Sequence, residues 1–354
     1  MPAKAFSYAG NGRIINMAQH KHGNGAKSSS HKHKKEKKKV PAALIIIGGL
    51  LILLAIVAFW GLYYLRGGLK RVKINKDNLG IVETDDMIAQ KHDIVNIAVF
   101  GVDSRNESAA IGDQGRSDSI MILSVDKTDN SIKIISILRD SKVPIEGYEP
   151  QKINAAYRYG RAPLAIKTLN QNFKLNIADY VSVDFGMMEQ VIDLLGGVDI
   201  KLNQAEADLV NQYSDKIMGY KGYDAVAGTN TLNGAQAVSF SRIREIDSDY
   251  ERSGRQRAVL KALFAKLRTK PVTQYPKLIR DFMSCVETSF RYNEILSLAT
   301  GVNLISAKIT TYSMPDGGET GLWSGIDETG SWVWIYDLDA AAERIHTIIY
   351  GGSE

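Results

Sequence analysis

Residues 40–65 carry no charged side chain, and this run limits the architecture of the chain more than any other feature. It reads Pro41-Ala-Ala-Leu-Ile-Ile-Ile-Gly-Gly-Leu-Leu-Ile-Leu-Leu-Ala-Ile-Val-Ala-Phe-Trp60. About 20 predominantly apolar residues cross a hydrocarbon layer as a helix, so the run can span with some tilt. Trp60, Tyr63 and Tyr64 stand at its C-terminal end, where amphipathic rings prefer the membrane–water interface. A cleaved signal peptide has an apolar region of about 7–15 residues. This one is longer, and Gly61-Leu-Tyr-Tyr64 makes a poor cleavage site. The expectation is an uncleaved signal anchor.

Orientation follows from the flanks. Lys32, Lys34, Lys35, Lys37, Lys38 and Lys39 crowd the N-terminal side, against the more dispersed Arg66, Lys70, Arg71 and Lys73 on the other. Positive charge stays cytoplasmic, so the N-terminus is expected inside. Dividing the net charge of +5 at the anchor changes its meaning: residues 1–65 hold +9 and the remainder −4. The basic character belongs to the tail, and nothing global about the outer part suggests nucleic acid. Any anion it binds must meet a local cluster of cations. Cys285 is the only cysteine, which excludes an intrachain disulfide and the small disulfide scaffolds of secreted proteins. An outer part of this length can bury a sufficient core without one, a situation compatible with the surface of a Gram-positive bacterium.

The expected organisation is a cytoplasmic, basic, disordered tail at 1–39, the membrane span at 40–65, a stalk or linker at 66–93 and one extracytoplasmic domain at 94–350. His20, His22, His31 and His33 fall in the tail, where a solvated basic segment that fixes topology or touches anionic lipid outweighs metal binding. From Ile94 onward, strand and helix patterns alternate. Strands are predicted at 96–101, 119–125, 131–138, 180–185, 198–202, 307–313 and 332–336, with a hairpin turn at 126–130. Helices are predicted at 162–173, 187–195, 204–213, 233–239, 250–268 and 338–349. This mixture implies an α/β fold, a three-layer α/β/α domain with a central mixed sheet, preceded by the single transmembrane helix.

Four stretches gather charge that a fold alone does not need. Phe100-Gly-Val-Asp103-Ser-Arg105 follows a strand, where α/β sheets place ligands. Gly115-Arg116-Ser-Asp118-Ser119 leads into the next strand. Together they offer two carboxylates to a hard cation such as Mg²⁺; ordinary loop acids and turn caps are the plainer alternative. Arg139-Asp140 closes the apolar strand Ile134-Ile-Ser-Ile-Leu138, either as a surface terminus or reaching over the strand end into the crevice of Asp103. The fourth stretch runs from Ser241 through Arg242, Arg244, Asp249, Arg252 and Arg255 to Gln256. Counting back by helical periodicity from Val259 and Leu260 puts Arg255, Gln256 and Arg252 on the core-facing stripe, with Arg257 and Lys261 opposite. Inward guanidinium groups are costly unless they meet an anion. Arg242 and Arg244 share a side only if their segment is extended. A cationic patch opposite two acids suits a pyrophosphate. His92 and His346 are the only histidines outside the tail, so no Ser–His–Asp set is available, and no Gly-rich phosphate loop appears.

In this order the motifs resemble the LytR-CpsA-Psr family of bacterial cell-wall proteins. The matching text is Asn96-Ile-Ala-Val-Phe-Gly-Val-Asp103-Ser-Arg105, Gly115-Arg-Ser-Asp118-Ser119 and Ile135-Ser-Ile-Leu-Arg139-Asp140. It continues with Lys152-Ile-Asn-Ala-Ala-Tyr157, Val183-Asp-Phe185, Leu195-Gly-Gly-Val-Asp199, Leu232-Asn-Gly-Ala-Gln-Ala237, and Arg242-Ile-Arg244 through Arg252 to Gln256. Leu138 stands where the family usually has proline, and Arg161 where it has glycine.

The resemblance implies a membrane-anchored phosphotransferase that moves a glycopolymer from a polyprenyl-pyrophosphate carrier to peptidoglycan, forming a phosphodiester. It implies Mg²⁺ (or Mn²⁺) on Asp103 and Asp118. Arg105, Arg116, Arg139, Arg242, Arg244, Arg252, Arg255 and Gln256 become the expected pyrophosphate contacts. A peptidoglycan hydroxyl would attack the sugar-proximal phosphorus beside Arg139, with either Asp140 or Asp249 taking its proton. The expected partners are the lipid-linked glycan, the peptidoglycan acceptor and membrane lipid, with no nucleic acid. A non-catalytic regulator that binds lipid-linked precursors, or a polyprenyl-pyrophosphate hydrolase, would use the same residues.

Overall fold

Three consecutive strands form the centre of the molecule, because each carries apolar side chains on both faces. In the computed structural model, which describes residues 71–83, 94–102, 115–216, 225–246 and 248–351, these are β1 (Ile94–Val102), β2 (Ser117–Asp126) and β3 (Ser131–Ile137). They run antiparallel. Strand alternation sends Ala98, Phe100, Ile120, Ile122, Ile135 and Ile137 into one layer. Met121, Ile132 and Ile134 enter the other. The β2–β3 turn is closed by Asp126, whose Oδ1 accepts from the backbone N–H groups of Thr128 and Asp129 at 2.9 and 3.0 Å. β6 (Asp179–Asp184) adds to β1 in parallel and β10 (Lys308–Met314) adds to β3 in parallel. β9 (Glu287–Thr288) completes the order β10-β3-β2-β1-β6-β9. The sheet is mixed, as the sequence pattern predicts.

One face is covered by α1 (Ala155–Phe173) and α8 (Leu338–Tyr350), which contribute Ile166, Leu169, Phe173, Ile345 and Ile349. The other is covered by α5 (Asp249–Arg268), α6 (Tyr275–Cys285) and α7 (Tyr292–Gly301). A second apolar cluster is enclosed by α2 (Phe185–Leu194), α3 (Gln204–Lys216), α4 (Gly234–Arg242) and the hairpin β7 (Val198–Leu202)–β8 (Gly228–Leu232). Cys285 is buried there as an ordinary apolar residue.

Several expectations change. The helix predicted at 162–173 begins at Ala155 and kinks at Gly160 and Arg161, whose dihedrals (φ −139°, ψ 17° and φ 56°, ψ −155°) are non-helical. Pro163 then occupies the first turn of the resumed helix, where a missing N–H costs nothing. The strand predicted at 332–336 is β12 (Trp332–Ile335), and it pairs with β11 (Trp323–Ile326) in a separate ribbon outside the main sheet. The linker expected at 66–93 is, over 71–83, packed on the domain. Leu79 is buried, Asn170 Nδ2 donates to its carbonyl at 2.8 Å, and Val72 N–H bonds to Thr288 at 2.9 Å. The basic tail and the apolar run lie outside the described residues, and among the described residues no helix is long and apolar enough to cross a membrane.

Candidate active site

Side chains from three of the four charged stretches converge at one end of the sheet. Asp118 arrives there through a β-bulge: Gly101 pairs with Ser119 but Val102 with Ser117, so Asp118 has no partner on β1. Such an extra residue re-aims its side chain. Arg139 and Asp140 arrive just past β3, in a turn held by Leu138 N–H to Met314 O (2.9 Å) and Ser141 N–H to Leu138 O (3.0 Å). Asp249 and Arg252 come from the first turn of α5, which Ser248 caps. A carboxylate in that turn is favoured by the helix dipole.

Arg139 is the hub. Its Nη1 donates to Asp118 Oδ1 at 2.5 Å, while Nη2 stands 3.2 Å from Asp249 Oδ1 and Nε 3.4 Å from Asp140 Oδ2. Burial alone would lower its pKa, but Asp249, Asp118 and Asp140 together outweigh that and hold it above the ordinary value. Arg252 is in the opposite condition. Its side chain is 3% exposed and its Nη2 meets Asp249 Oδ1 at 2.6 Å, yet among the described residues Nε and Nη1 have no hydrogen-bond acceptor. Burial first, and repulsion from Arg139 second, push it down to about 10, still charged at neutral pH. A buried donor left unmade costs about 1–3 kcal/mol. An anion at this point would remove that cost.

Arg244 is exposed and stands 4.0 Å from Asp118 Oδ2, and Lys152 Nζ donates to Asp140 Oδ1 at 2.8 Å. Four cations thus surround three carboxylates, before Arg116 and Arg242 are considered. Arg116 is exposed two residues before Asp118. The Arg242 guanidinium lies 4.4 Å from the centre of the Phe185 ring, a cation–π contact at the start of α2. Arg242 closes a helix rather than lying in an extended segment; only Ile243 beyond it is extended, and this is what separates Arg242 from Arg244.

The Leu232–Ala237 motif is the scaffold for that arginine. Asn233 and Gln236 form a reciprocal capping box at the start of α4. Gly234 lies so close to α2 that a Cβ would stand 2.3 Å from the Glu189 carbonyl oxygen. Helical periodicity placed Arg252 and Arg255 inward, and both are buried. Their environments differ, however: Arg255 meets Glu206 of α3 at 3.6 Å and the Ile243 carbonyl at 2.9 Å. Arg257 is not turned to solvent as expected; it is half-buried, its Nη1 donates to Ser253 at 3.2 Å, and burial lowers its pKa. Gln256 is half-buried and Lys261 exposed. Asp103 and Arg105 lie outside the described residues. Lys152 and Phe185 were missed as site residues, although each sits in a motif that the sequence displays.

Asp118 Oδ2 meets, among the described residues, only the distant Arg244. One hard oxygen therefore remains for a divalent cation, which fits the donor chemistry of Mg²⁺. Among the described residues no group of three or more His, Cys, Asp or Glu side chains could hold a metal, so further ligands would come from elsewhere.

The model of the LytR_cpsA_psr family (LytR-CpsA-Psr) matches residues 62–347. The chain is 31% identical over 249 residues to the polyisoprenyl-teichoic acid–peptidoglycan teichoic acid transferase TagU of Oceanobacillus iheyensis, covering 67% of this chain and 72% of that protein. Among solved structures, protein gbs0355 from Streptococcus agalactiae superposes with a TM-score of 0.60 at 20% identity, over 75% of this chain and 91% of its own. The family protein YwtF (TagT) with bound octaprenyl pyrophosphate lipid gives 0.55 at 21% identity, over 81% and 98%. These two establish a shared fold.

Proposed function

Because this chain belongs to the LytR-CpsA-Psr family, we propose that it transfers a glycopolymer from a polyprenyl-pyrophosphate carrier to peptidoglycan, with a site centred on Arg139. TagU of Oceanobacillus iheyensis carries that activity in its name, and TagT holds a polyprenyl pyrophosphate. The observation that carries the reading is Arg252, a buried guanidinium whose Nη2 stands 2.6 Å from the aspartate that also faces Arg139 and whose other two donors find no acceptor among the described residues.

In this reading the pyrophosphate seats on Arg139, Arg244 and Arg252, with Arg116 and Arg242 at its rim. An acceptor hydroxyl attacks the sugar-proximal phosphorus; the new P–O bond forms as the bond to the bridging oxygen breaks, and polyprenyl phosphate leaves. The hydroxyl proton passes to Asp140 or Asp249, both carboxylates lining Arg139. Phosphoryl transfer asks little covalent chemistry of the protein and depends on positioning and charge. Asp118, with Asp103, would hold Mg²⁺, which when bound neutralises phosphate charge. The apolar run at 40–65 would anchor the chain so that site and lipid share one surface. The test is product analysis with a lipid-pyrophosphate glycan and peptidoglycan: a glycan–peptidoglycan phosphodiester supports transfer, whereas free glycan phosphate alone would reveal a hydrolase.

A further inference from the structure

Beside the arginine cluster hangs the β11–β12 ribbon, and its surface is unusually aromatic. Trp323 and Trp332 are 47% and 40% exposed and Ile326 is 69% exposed, while Trp332 meets Trp334 edge-to-face at 5.2 Å. A Cβ at Gly325 would stand 2.6 Å from Trp323 Cζ2, so the indole lies across bare backbone. An isolated two-stranded ribbon is marginal in water, but this one is fastened to the site's own loop. Trp334 N–H donates to the Asp140 carbonyl at 3.0 Å, Tyr336 OH to Ser141 Oγ at 2.9 Å, and Lys142 pairs with Asp327 and Glu328 at 2.9 and 2.5 Å. Large apolar groups held rigidly in solvent mark an interaction surface.

Charge and position select the occupant. Residues 315–339 contain Asp316, Glu319, Asp327, Glu328, Asp337 and Asp339 and no lysine or arginine. Lys142, Arg344 and Lys174 pair with all of these acids but Asp337, which caps α8, so the segment presents paired charge. It carries no cation of its own to hold an anionic bilayer or a polyanionic donor glycan. The ribbon is also remote from where the described chain begins. Arg71 lies along β9, at one edge of the sheet, whereas the ribbon attaches just beyond β3, near the other. Strand spacing makes that separation about 20 Å. What suits flat indoles with no cation in their segment is an uncharged polyol: pyranose C–H faces stack on the rings, and the exposed Glu328 can accept from a sugar hydroxyl.

We infer that the β11–β12 ribbon is the docking platform for the sugar backbone of the peptidoglycan acceptor, leading its hydroxyl to Asp140. This rests on the transfer reading above. Acceptor and donor would then be sorted by charge, the neutral glycan to the ribbon, whose two strands carry no charged residue, and the pyrophosphate to the arginines.

The experiment uses the full-length chain in nanodiscs, with chitohexaose as the neutral sugar probe followed by intrinsic tryptophan fluorescence. The wild type should bind it saturably. Trp323→Ala/Trp332→Ala should weaken that binding about tenfold and raise KM for peptidoglycan by a similar factor, with kcat and the melting shift induced by inorganic pyrophosphate unchanged. Trp332→Phe, which keeps a stacking face, should retain most of the affinity and guards against misfolding of the double variant. Unaltered sugar affinity and KM in the double variant would overturn the inference. So would indole-dependent binding to phosphatidylglycerol vesicles in place of sugar. Sugar binding that depends on the two indoles, in a chain that transfers nothing to peptidoglycan, would uphold the platform and defeat the transfer reading.

Discussion

Arg139 and Arg252 share one acceptor atom: Asp249 Oδ1 lies 3.2 Å from Nη2 of the first and 2.6 Å from Nη2 of the second. Two guanidinium groups meeting at one oxygen repel each other, and that repulsion adds to burial, the larger cause, in lowering the pKa of Arg252. The arrangement is stable enough to form and unsatisfied enough to bind. A dianion between the two would supply the acceptors that Arg252 lacks and relieve the repulsion.

Arg252→Met should therefore separate stability from binding. Asp249 keeps Arg139 as its partner when Arg252 is replaced, and the two unmet donors leave with the guanidinium, so the free protein should melt close to the wild type. The wild type, at pyrophosphate a hundredfold above Kd, should gain about 2.7 kcal/mol. The variant should lose most of that gain in the same thermal melts. A clear drop in the free protein's stability would show that Arg252 is a structural ion-pair partner.

Arg139→Ala should lower kcat for transfer at least about 10²-fold, the scale of losing one preorganised donor to developing charge. Lysine should not restore it. Arg139 serves Asp118, Asp140 and Asp249 through three different nitrogens, and an ammonium cannot reproduce that fork. Steady-state kinetics with a lipid-pyrophosphate donor reads both variants.

Asp118→Asn tests the metal. If Asp118 is a ligand, half-saturation should need about tenfold more Mg²⁺, and calorimetry should show the weaker binding directly. Chelation should abolish wild-type transfer, with activity returning on adding Mg²⁺ or Mn²⁺. An unchanged titration in the asparagine variant would remove Asp118 from the metal site.

Gly234→Ala should destabilise by about 1–3 kcal/mol, since the new methyl meets the Glu189 carbonyl oxygen at 2.3 Å and the helices must part. Asn233→Ala should cost about 1 kcal/mol through loss of the cap. Both are readable as shifts in denaturation midpoint. Neither residue belongs to the charged cluster, so a loss of transfer in a variant that remains folded would mean that α4 also sets the position of Arg242.

Much of the architecture was legible because it depends on local pattern. The alternation in Ile132, Ile134, Ile135 and Ile137 specifies a strand buried on two faces, and that requires helices on both sides. The hairpin at Asp126 and the periodic stripe ending in Val259 and Leu263 are similarly local. α6 and α7 were not legible, nor were the paired strands β4 (Lys142–Ile145) and β5 (Tyr148–Lys152), with Tyr148 and Glu149 exposed, and the short edge strand β9. Short elements with mixed composition take their form from what they pack against. The kink at Arg161 lies between Gly160 and Pro163, two helix breakers that the sequence displays, but that a helix also precedes it from Ala155 was not legible.

The sequence by itself determined the division of charge at the apolar run, the mixed α/β order, the ordered motifs and the inward direction of Arg252 and Arg255. Each follows from spacing along the chain, and spacing is a local property. Only the tertiary structure decided that Arg139 reaches over the strand end to three aspartates, and that Arg255 meets Glu206 and the Ile243 carbonyl while two donors of Arg252 find no acceptor among the described residues. It also decided that Lys152 completes Asp140, and that a tryptophan ribbon hangs on the same loop. Those facts depend on which distant segments meet, and that is fixed by sheet order and by packing across the two faces, neither of which is written in any one stretch of residues.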